Sequence, residues 1–156
     1  MSASVDGTVR VGRLADRTCA RVLDLEGRCV GALADLDGGR LVTGCATNKL
    51  RIWDAATGAL LLTRDTNAAR VRAIWAIAAL WGGRLATGHV MGAVVLWRLG
   101  AGGAAAPVVL AGHTDCVNAF AVVAPGSGVQ LLATASNDCT VRLWDVDAAA
   151  CVRVLG

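Results

Sequence analysis

The sequence predicts an all-β protein built from repeated sheets of four antiparallel strands. The first observation is a repeat, because Trp53, Trp97 and Trp144 lie 44 and 47 residues apart. Each Trp has a Thr ten residues upstream and a Leu twelve residues upstream. The second observation is the alternation of polar and apolar residues in "KLRIWD" and "TVRLWD", as in half-buried strands. The third is the turn-forming sequence between these stretches, such as "DLDGG" and "APGSG".

A fourth, degenerate copy of the repeat opens the chain. "SVDGTVRVG" (residues 4–12) aligns without gaps to "SNDCTVRLW" (136–144), 132 residues later, and Gly12 takes the Trp position. At the same offset "CARVL" (19–23) matches "CVRVL" (151–155). We therefore predict one domain over residues 1–156, with repeats at about 1–24 (partial), 25–65, 66–111 and 112–156.

Each complete copy is predicted to hold four strands. In the last copy these are "CVNAFAVV", "LLATAS", "TVRLWDV" and "ACVRVL". The first strand of a copy is a continuous apolar run, which predicts burial on both faces. The run Ala73–Trp81 also fits a buried helix, but its place in the repeat favours a strand, with Trp75 and Trp81 in the core.

Composition and charge narrow the classes of function. The net charge is +3, and the 14 Arg and single Lys are scattered, whereas a nucleic-acid surface would cluster them. The six Cys form no Cys-x-x-Cys pair and only two His occur, so we expect neither a metal nor a cofactor, and buried thiols. No signal peptide or membrane-spanning run is present, which predicts an intracellular protein, cytoplasmic or nuclear.

These repeats resemble the WD-repeat β-propeller family over nearly the whole chain, as about three and three-quarter repeats. The resemblance implies β-propeller blades of four antiparallel strands. Closed propellers have about four to eight blades. The blades predicted here are therefore incomplete as a propeller, and we expect closure to require additional blades or a second copy, since no polar caps are visible.

The resemblance also explains a Ser, a His and an Asp in the last copy. In the family, a loop His, a second-strand hydroxyl, a turn Asp and the Trp form a structural hydrogen-bonded tetrad, which here corresponds to His113, Ser136, Asp138 and Trp144. A hydrolase using Ser136, His113 and Asp138 is the competing interpretation. It is disfavoured because Ser136 and Asp138 are expected to point inward and no Gly-x-Ser-x-Gly elbow exists.

The other copies depart from this pattern. The repeat signature itself is retained at Trp53, Asp54, Trp97 and Asp145, with Asp145 expected to cap an exposed turn. Tetrad positions are replaced in the middle copies, which are predicted to rely on apolar packing, and His89 is either a tetrad substitute or an exposed loop residue. These replacements are Glu26, Cys45 and Thr47 in the second copy, and Asn67, His89 and Met91 in the third.

The resemblance implies a non-catalytic protein–protein interaction scaffold or adaptor. The partners are other proteins, with a homodimer or further blades as an option, and neither nucleic acid nor a membrane. The alternative is a ubiquitin- or phosphopeptide-binding subunit of a larger regulatory complex such as a ubiquitin ligase. The loops of one face are expected to bind the partner. They carry Arg28, Arg70, Arg72, Asp115, Asn118 and Asn137.

Overall fold

The computed structural model describes residues 2–4, 6–13, 18–24, 30–66, 71, 73–99, 106–123 and 129–156. Within these ranges the regular structure is fifteen β-strands and no helix. The strands are β1 (Ser2–Ala3), β2 (Thr8–Arg13), β3 (Thr18–Asp24), β4 (Val30–Leu36), β5 (Arg40–Cys45), β6 (Lys49–Asp54), β7 (Leu60–Asp65), β8 (Ile74–Leu80), β9 (Arg84–His89), β10 (Val94–Arg98), β11 (Val108–Leu110), β12 (Val117–Val123), β13 (Leu131–Ser136), β14 (Val141–Asp145) and β15 (Ala150–Leu155).

The strands form four separate antiparallel sheets in which neighbours in sequence pair. Sheet 1 has the order β1-β2-β3, sheet 2 β4-β5-β6-β7, sheet 3 β8-β9-β10-β11 and sheet 4 β12-β13-β14-β15. The all-β class and the repeated four-stranded sheet are thus confirmed, and none of the sheets closes on itself. Among the described residues, sheet 1 has no counterpart of the first strands β4, β8 and β12, which lie next to one another at the inner edges of sheets 2, 3 and 4.

The sheets stack face to face in chain order, and the three Trp residues of the repeat each lie in a core between two sheets. Trp53 packs against Val9 and Leu23 of sheet 1. Trp97 joins a core with Val42 and Ile52 of sheet 2, and Trp144 joins one with residues of sheet 3 such as Leu110. Aromatic side chains of this size contribute much of the buried area. Each sheet is therefore held to the preceding sheet by its own Trp.

The first strand of sheet 4, β12, is not buried on both faces. The prediction that the first strand of each copy is buried on both faces is therefore wrong for β12. Of its seven residues, Val117 is buried and Phe120 half-buried, while the other five are exposed. The equivalent strand β8 exposes only Trp75. The physical reason is tertiary: sheets 2 and 4 cover the two faces of sheet 3, whereas no described residue covers the far face of sheet 4.

The predicted core positions of Trp75 and Trp81 are also wrong. The two side chains are 49% and 54% exposed. Trp75 lies at an irregularity of the β8–β9 pairing between Ile74 and Ala76, and such a bulge redirects the side chain it carries. Trp81 lies outside β8, in the turn that leads to β9.

The prediction of buried cysteines holds for only one of the five that are described. Cys45 on β5 is buried and Cys116 is intermediate. Cys19, Cys139 and Cys151 are exposed. Cys19 and Cys151 lie on the edge strands β3 and β15, and Cys139 lies in the β13–β14 turn, where solvent reaches all three thiols.

Candidate functional site

Sheet 4 holds a chain of hydrogen bonds that links the loop before β12 to both central strands. His113, in that loop, contacts Asp138 Oδ2 through Nδ1 at 2.8 Å and Thr134 Oγ1 through Nε2 at 2.7 Å. The indole Nε1 of Trp144 donates to the same Thr134 hydroxyl at 2.9 Å. His113, Thr134 and Trp144 are buried. The structure therefore brings three of the four predicted tetrad residues together.

The hydroxyl at the centre of this network belongs to Thr134 rather than to the predicted Ser136. Leu132 pairs with Trp144 across the β13–β14 ladder, so Thr134 is the diagonal neighbour of Trp144 and Ser136 lies one pleat further away. Ser136 Oγ instead donates to the Asp115 carbonyl at 2.9 Å and accepts from the Asp138 amide at 3.2 Å. The Thr found ten residues before each Trp was the sequence signal for the correct hydroxyl.

The contacts of sheet 4 pair both ring nitrogens of His113. With a proton on Nδ1, His113 donates to the Asp138 carboxylate, and Nε2 lies at hydrogen-bond distance from the Thr134 hydroxyl. The Thr134 oxygen then accepts from Trp144 Nε1–H. Buried polar groups are costly when unpaired, and this arrangement pairs all of them.

The Asp138 carboxylate is held in its ionised form. Partial burial opposes ionisation, but hydrogen bonds from the Thr140 hydroxyl, His113 and the Thr114 and Thr140 amides outweigh it. The pKa of Asp138 consequently lies well below its ordinary value. Thr140 Oγ1 lies 2.7 Å from Asp138 Oδ1, and the Thr140 amide donates to the same oxygen at 2.9 Å.

This shift predicts a specific acid sensitivity. A carboxyl whose pKa is lowered on folding stabilises the native state above its unfolded pKa, near 3.8, and that stabilisation is lost as the pH falls. We expect the urea midpoint of the wild type to fall between about pH 5 and pH 3. Asp138→Asn should be less stable at neutral pH and should lose less on acidification, so the two curves converge. Parallel curves would contradict the assignment; Asp54, whose pKa is also lowered, stays intact in both proteins.

The middle sheets keep the Trp–Thr hydrogen bond, so the prediction that they rely on apolar packing alone is wrong. Trp53 Nε1 donates to Thr43 Oγ1 at 3.0 Å, and Trp97 Nε1 donates to Thr87 Oγ1 at 2.8 Å. His89 is fully buried and contacts the Thr87 hydroxyl through Nε2 at 2.8 Å. His89 therefore acts as the tetrad substitute in sheet 3, although it comes from β9 and not from a loop.

The Asp residues that follow Trp53 and Trp144 cap turns. Asp54 Oδ1 accepts from the Thr57 amide at 2.6 Å and from its hydroxyl at 2.8 Å. Asp145 Oδ1 accepts from the amides of Asp147 and Ala148, both at 2.9 Å. Asp145 is half-buried, less exposed than predicted. These carboxylates fix the turn between the third and fourth strands of their sheets.

Three residues of the predicted partner-binding face lie close together beside the His113 network. Asp115, Asn118 and Asn137 are exposed, and Asn118 Nδ2 donates to Asn137 Oδ1. The Asn137 amide also donates to the Cys116 carbonyl at 2.9 Å, which ties the β13–β14 turn to the loop before β12. Arg28, Arg70 and Arg72 of the same predicted face lie outside the described residues.

Metal sites and membrane-spanning segments each require a particular arrangement of residues. In the described ranges, no three His, Cys, Asp or Glu side chains converge as metal ligands would. The described part of the chain also contains no helix long and apolar enough to cross a membrane.

The fold and the network of sheet 4 define the class of protein. Residues 107–145 match the WD40 family model, described as "WD domain, G-beta repeat". The chain therefore carries a WD repeat in the sheet that holds the His113 network, and the strand order of that sheet recurs in sheets 2 and 3. This confirms the resemblance drawn from the sequence.

Among curated proteins, the chain is similar to fungal proteins named "Probable E3 ubiquitin ligase complex SCF subunit sconB". It is 51% identical over 45 residues to those of Aspergillus oryzae and Aspergillus flavus, and 50% identical over 44 residues to that of Emericella nidulans. The match covers 29% of this chain for the first two and 28% for the third, and 6% of the length of each relative.

Among solved structures, the chain is similar to the computationally designed Ika8 protein. The TM-score is 0.75 at 24% identity, over 98% of this chain and 44% of the designed chain. At this level of identity the likeness concerns the fold, and it includes all four sheets because the alignment covers almost the whole chain.

Proposed function

We propose that this chain is a non-catalytic protein–protein interaction scaffold. Part of its docking face is the exposed end of sheet 4, beside the His113 network. The observation that carries the proposal is that the side chains of His113, Ser136 and Asp138 are all engaged in internal hydrogen bonds. The two ring nitrogens of His113 form hydrogen bonds with Asp138 and Thr134, and the Ser136 hydroxyl donates to a backbone carbonyl. The two Thr hydroxyls that contact the imidazole are themselves hydrogen-bonded to Trp144 and Asp138, which favours architecture over acid–base chemistry.

The docking face is argued from its rigidity and polarity. Asp115, Asn118 and Asn137 present carboxylate and amide groups to solvent on a backbone tied down by the His113–Asp138 pair. A preorganised surface binds with a smaller loss of conformational entropy than a flexible one. Arg28, Arg70 and Arg72 extend the proposed face from their places in the repeats.

A matched pair of variants tests this face. Asn118→Arg/Asn137→Arg changes the proposed docking face, while Leu61→Arg/Thr63→Arg adds the same charge to the exposed outer strand β7. We expect proteins captured by the wild-type chain from a cell extract to be lost with the first variant and retained with the second. Equal capture by both would overturn the assignment of the face. Ester turnover that disappears in a folded Ser136→Ala variant would overturn the non-catalytic function.

The second candidate is a ubiquitin- or phosphopeptide-binding subunit of a larger ubiquitin-ligase complex, acting inside the cell. The similarity of 45 residues to proteins named as SCF complex subunits favours it. Titrations with ubiquitin and with a phosphoserine peptide, followed by NMR, test this candidate. Saturable shifts at Asn118 and Asn137 with one ligand support it, and no shift with either ligand contradicts it.

A further inference from the structure

Sheets 1 and 4 are two copies of one structure. Val9 pairs with Leu23 in sheet 1 as Val141 pairs with Leu155 in sheet 4, and both ladders have an irregularity at the same place. The turn hydrogen bonds also agree: Thr8 Oγ1 lies 2.7 Å from Asp6 Oδ1, as does the equivalent pair in sheet 4. The offset of 132 residues seen in the sequence is therefore a structural equivalence.

The two copies differ in what covers them. Val9 and Leu23 are 0% and 4% exposed because they pack against Trp53 and its neighbours in sheet 2. Arg21 adds a hydrogen bond from Nη1 to the Thr57 carbonyl of sheet 2 at 2.7 Å. The equivalent Val141 and Leu155 are 37% and 47% exposed. The same apolar surface is thus covered in sheet 1 and open in sheet 4.

In each of the other three sheets, the residue equivalent to Leu155 contacts the Trp of the sheet that follows it. Leu23 shares a core with Trp53, and Leu110 shares one with Trp144. In sheet 2 the corresponding residue is Arg64, whose guanidinium carbon lies 5.5 Å from the centre of the Trp97 ring, a cation–π distance. The open surface of sheet 4 is therefore equivalent to the surfaces that pack on a Trp in sheets 1, 2 and 3.

Of the three repeat Trp residues that lie between sheets, a second copy offers one at the position that this surface requires. The free face of sheet 1 has Gly12 at the Trp position beside exposed Arg10, so simple head-to-tail stacking supplies no Trp. Trp97 and Trp144 are covered by complete sheets. Trp53 is covered by sheet 1, which in the described part of the chain has three strands, one of two residues, and no strand equivalent to β12.

We propose that two copies of this chain associate by exchange, with sheet 4 of each copy replacing sheet 1 on sheet 2 of the other. Val141 and Leu155 then pack on the Trp53 of the second copy, and Arg153 repeats the contact that Arg21 makes to Thr57. Sheet 4 also places β12 beside β4, where Leu33 is half-buried. Two reciprocal contacts close a symmetric dimer, and in each of them Val141 and Leu155 take over the contacts that Val9 and Leu23 make with Trp53.

Light scattering of the purified chain over a concentration series tests the proposal. We expect a reversible dimer for the wild type and at least about a tenfold weaker dimer for Leu155→Asp, since one anchor is lost at each contact. Val154→Asp is the matched control, because Val154 is 49% exposed on the opposite face of the same strand. A wild-type monomer at every concentration, or equal weakening by both variants, would overturn the proposal.

Arg21→Ala distinguishes exchange from direct pairing of two sheet 4 surfaces. Arg21 is exposed, so the variant should still fold, which circular dichroism checks. Loss of its bond to Thr57 loosens sheet 1 from sheet 2 and should strengthen an exchanged dimer several-fold. A dimer of unchanged or reduced affinity would contradict exchange and indicate that the two open surfaces pair with each other.

Discussion

Replacing Thr134 with Val should lower the free energy of unfolding by about 2–4 kcal/mol, because the change strands two buried polar groups. The Thr134 hydroxyl accepts from Trp144 Nε1 at 2.9 Å and contacts His113 Nε2 at 2.7 Å. Val has nearly the same shape but no hydroxyl, so packing is preserved and the indole N–H and the imidazole nitrogen lose their shared partner. Urea melts followed by Trp fluorescence measure the effect.

Three variants bracket this expectation. Thr134→Ser keeps the hydroxyl and should recover most of the lost stability. Ser136→Ala should cost about 1 kcal/mol or less, since its hydroxyl bonds a carbonyl near the surface. Thr43→Val should cost less than Thr134→Val, because the Trp53 indole is the main side-chain partner of Thr43. A larger loss for Ser136→Ala than for Thr134→Val would place the tetrad hydroxyl where the sequence pattern put it.

The comparison of Thr134 with Ser136 shows what sequence reasoning reaches in this site. The resemblance to the WD-repeat family located His113, Asp138 and Trp144, because "GHTD" and "SNDCTVRLWD" match the family's pattern. The two hydroxyls lie two residues apart on one strand and on one face, so the alternation pattern treats them alike. Only the pairing of Leu132 with Trp144 decides which one meets the indole, and that register is a property of the folded sheet.

Burial was predictable wherever it depends on a residue's own strand, and unpredictable wherever it depends on the neighbouring sheet. The alternation in "KLRIWD" predicts a half-buried strand, and in β6 Leu50 and Ile52 are buried while Lys49 and Arg51 are only partly covered. The apolar strand β12 is largely exposed, unlike β8, because its far face carries no described sheet. The sequence holds no signal for that difference, since "NAFAVV" and "AIWAIAAL" have similar composition.

Gly92→Ala should lower the free energy of unfolding by about 2–4 kcal/mol, because sheet 3 closely approaches the His113 loop at Gly92. Gly92 has a φ of +78°, which an L-residue adopts only with strain. A Cβ on Gly92 would also lie 2.6 Å from the His113 carbonyl carbon, so the loop would have to move. That loop positions the imidazole between Asp138 and Thr134, so the substitution should also disturb the hydrogen bonds of sheet 4.

Gly39→Ala separates these two causes. Gly39 has nearly the same φ, +71°, but a Cβ there meets no atom within 4 Å. The Gly39→Ala variant should therefore lose only the free energy due to backbone strain, about 1 kcal/mol. The excess loss in Gly92→Ala then measures the contact between sheets, and it should shrink in a Thr134→Val background, where the His113 network is already broken. Equal losses for the two glycine variants, in either background, would mean that the loop moves freely and that sheet 3 does not help to position His113.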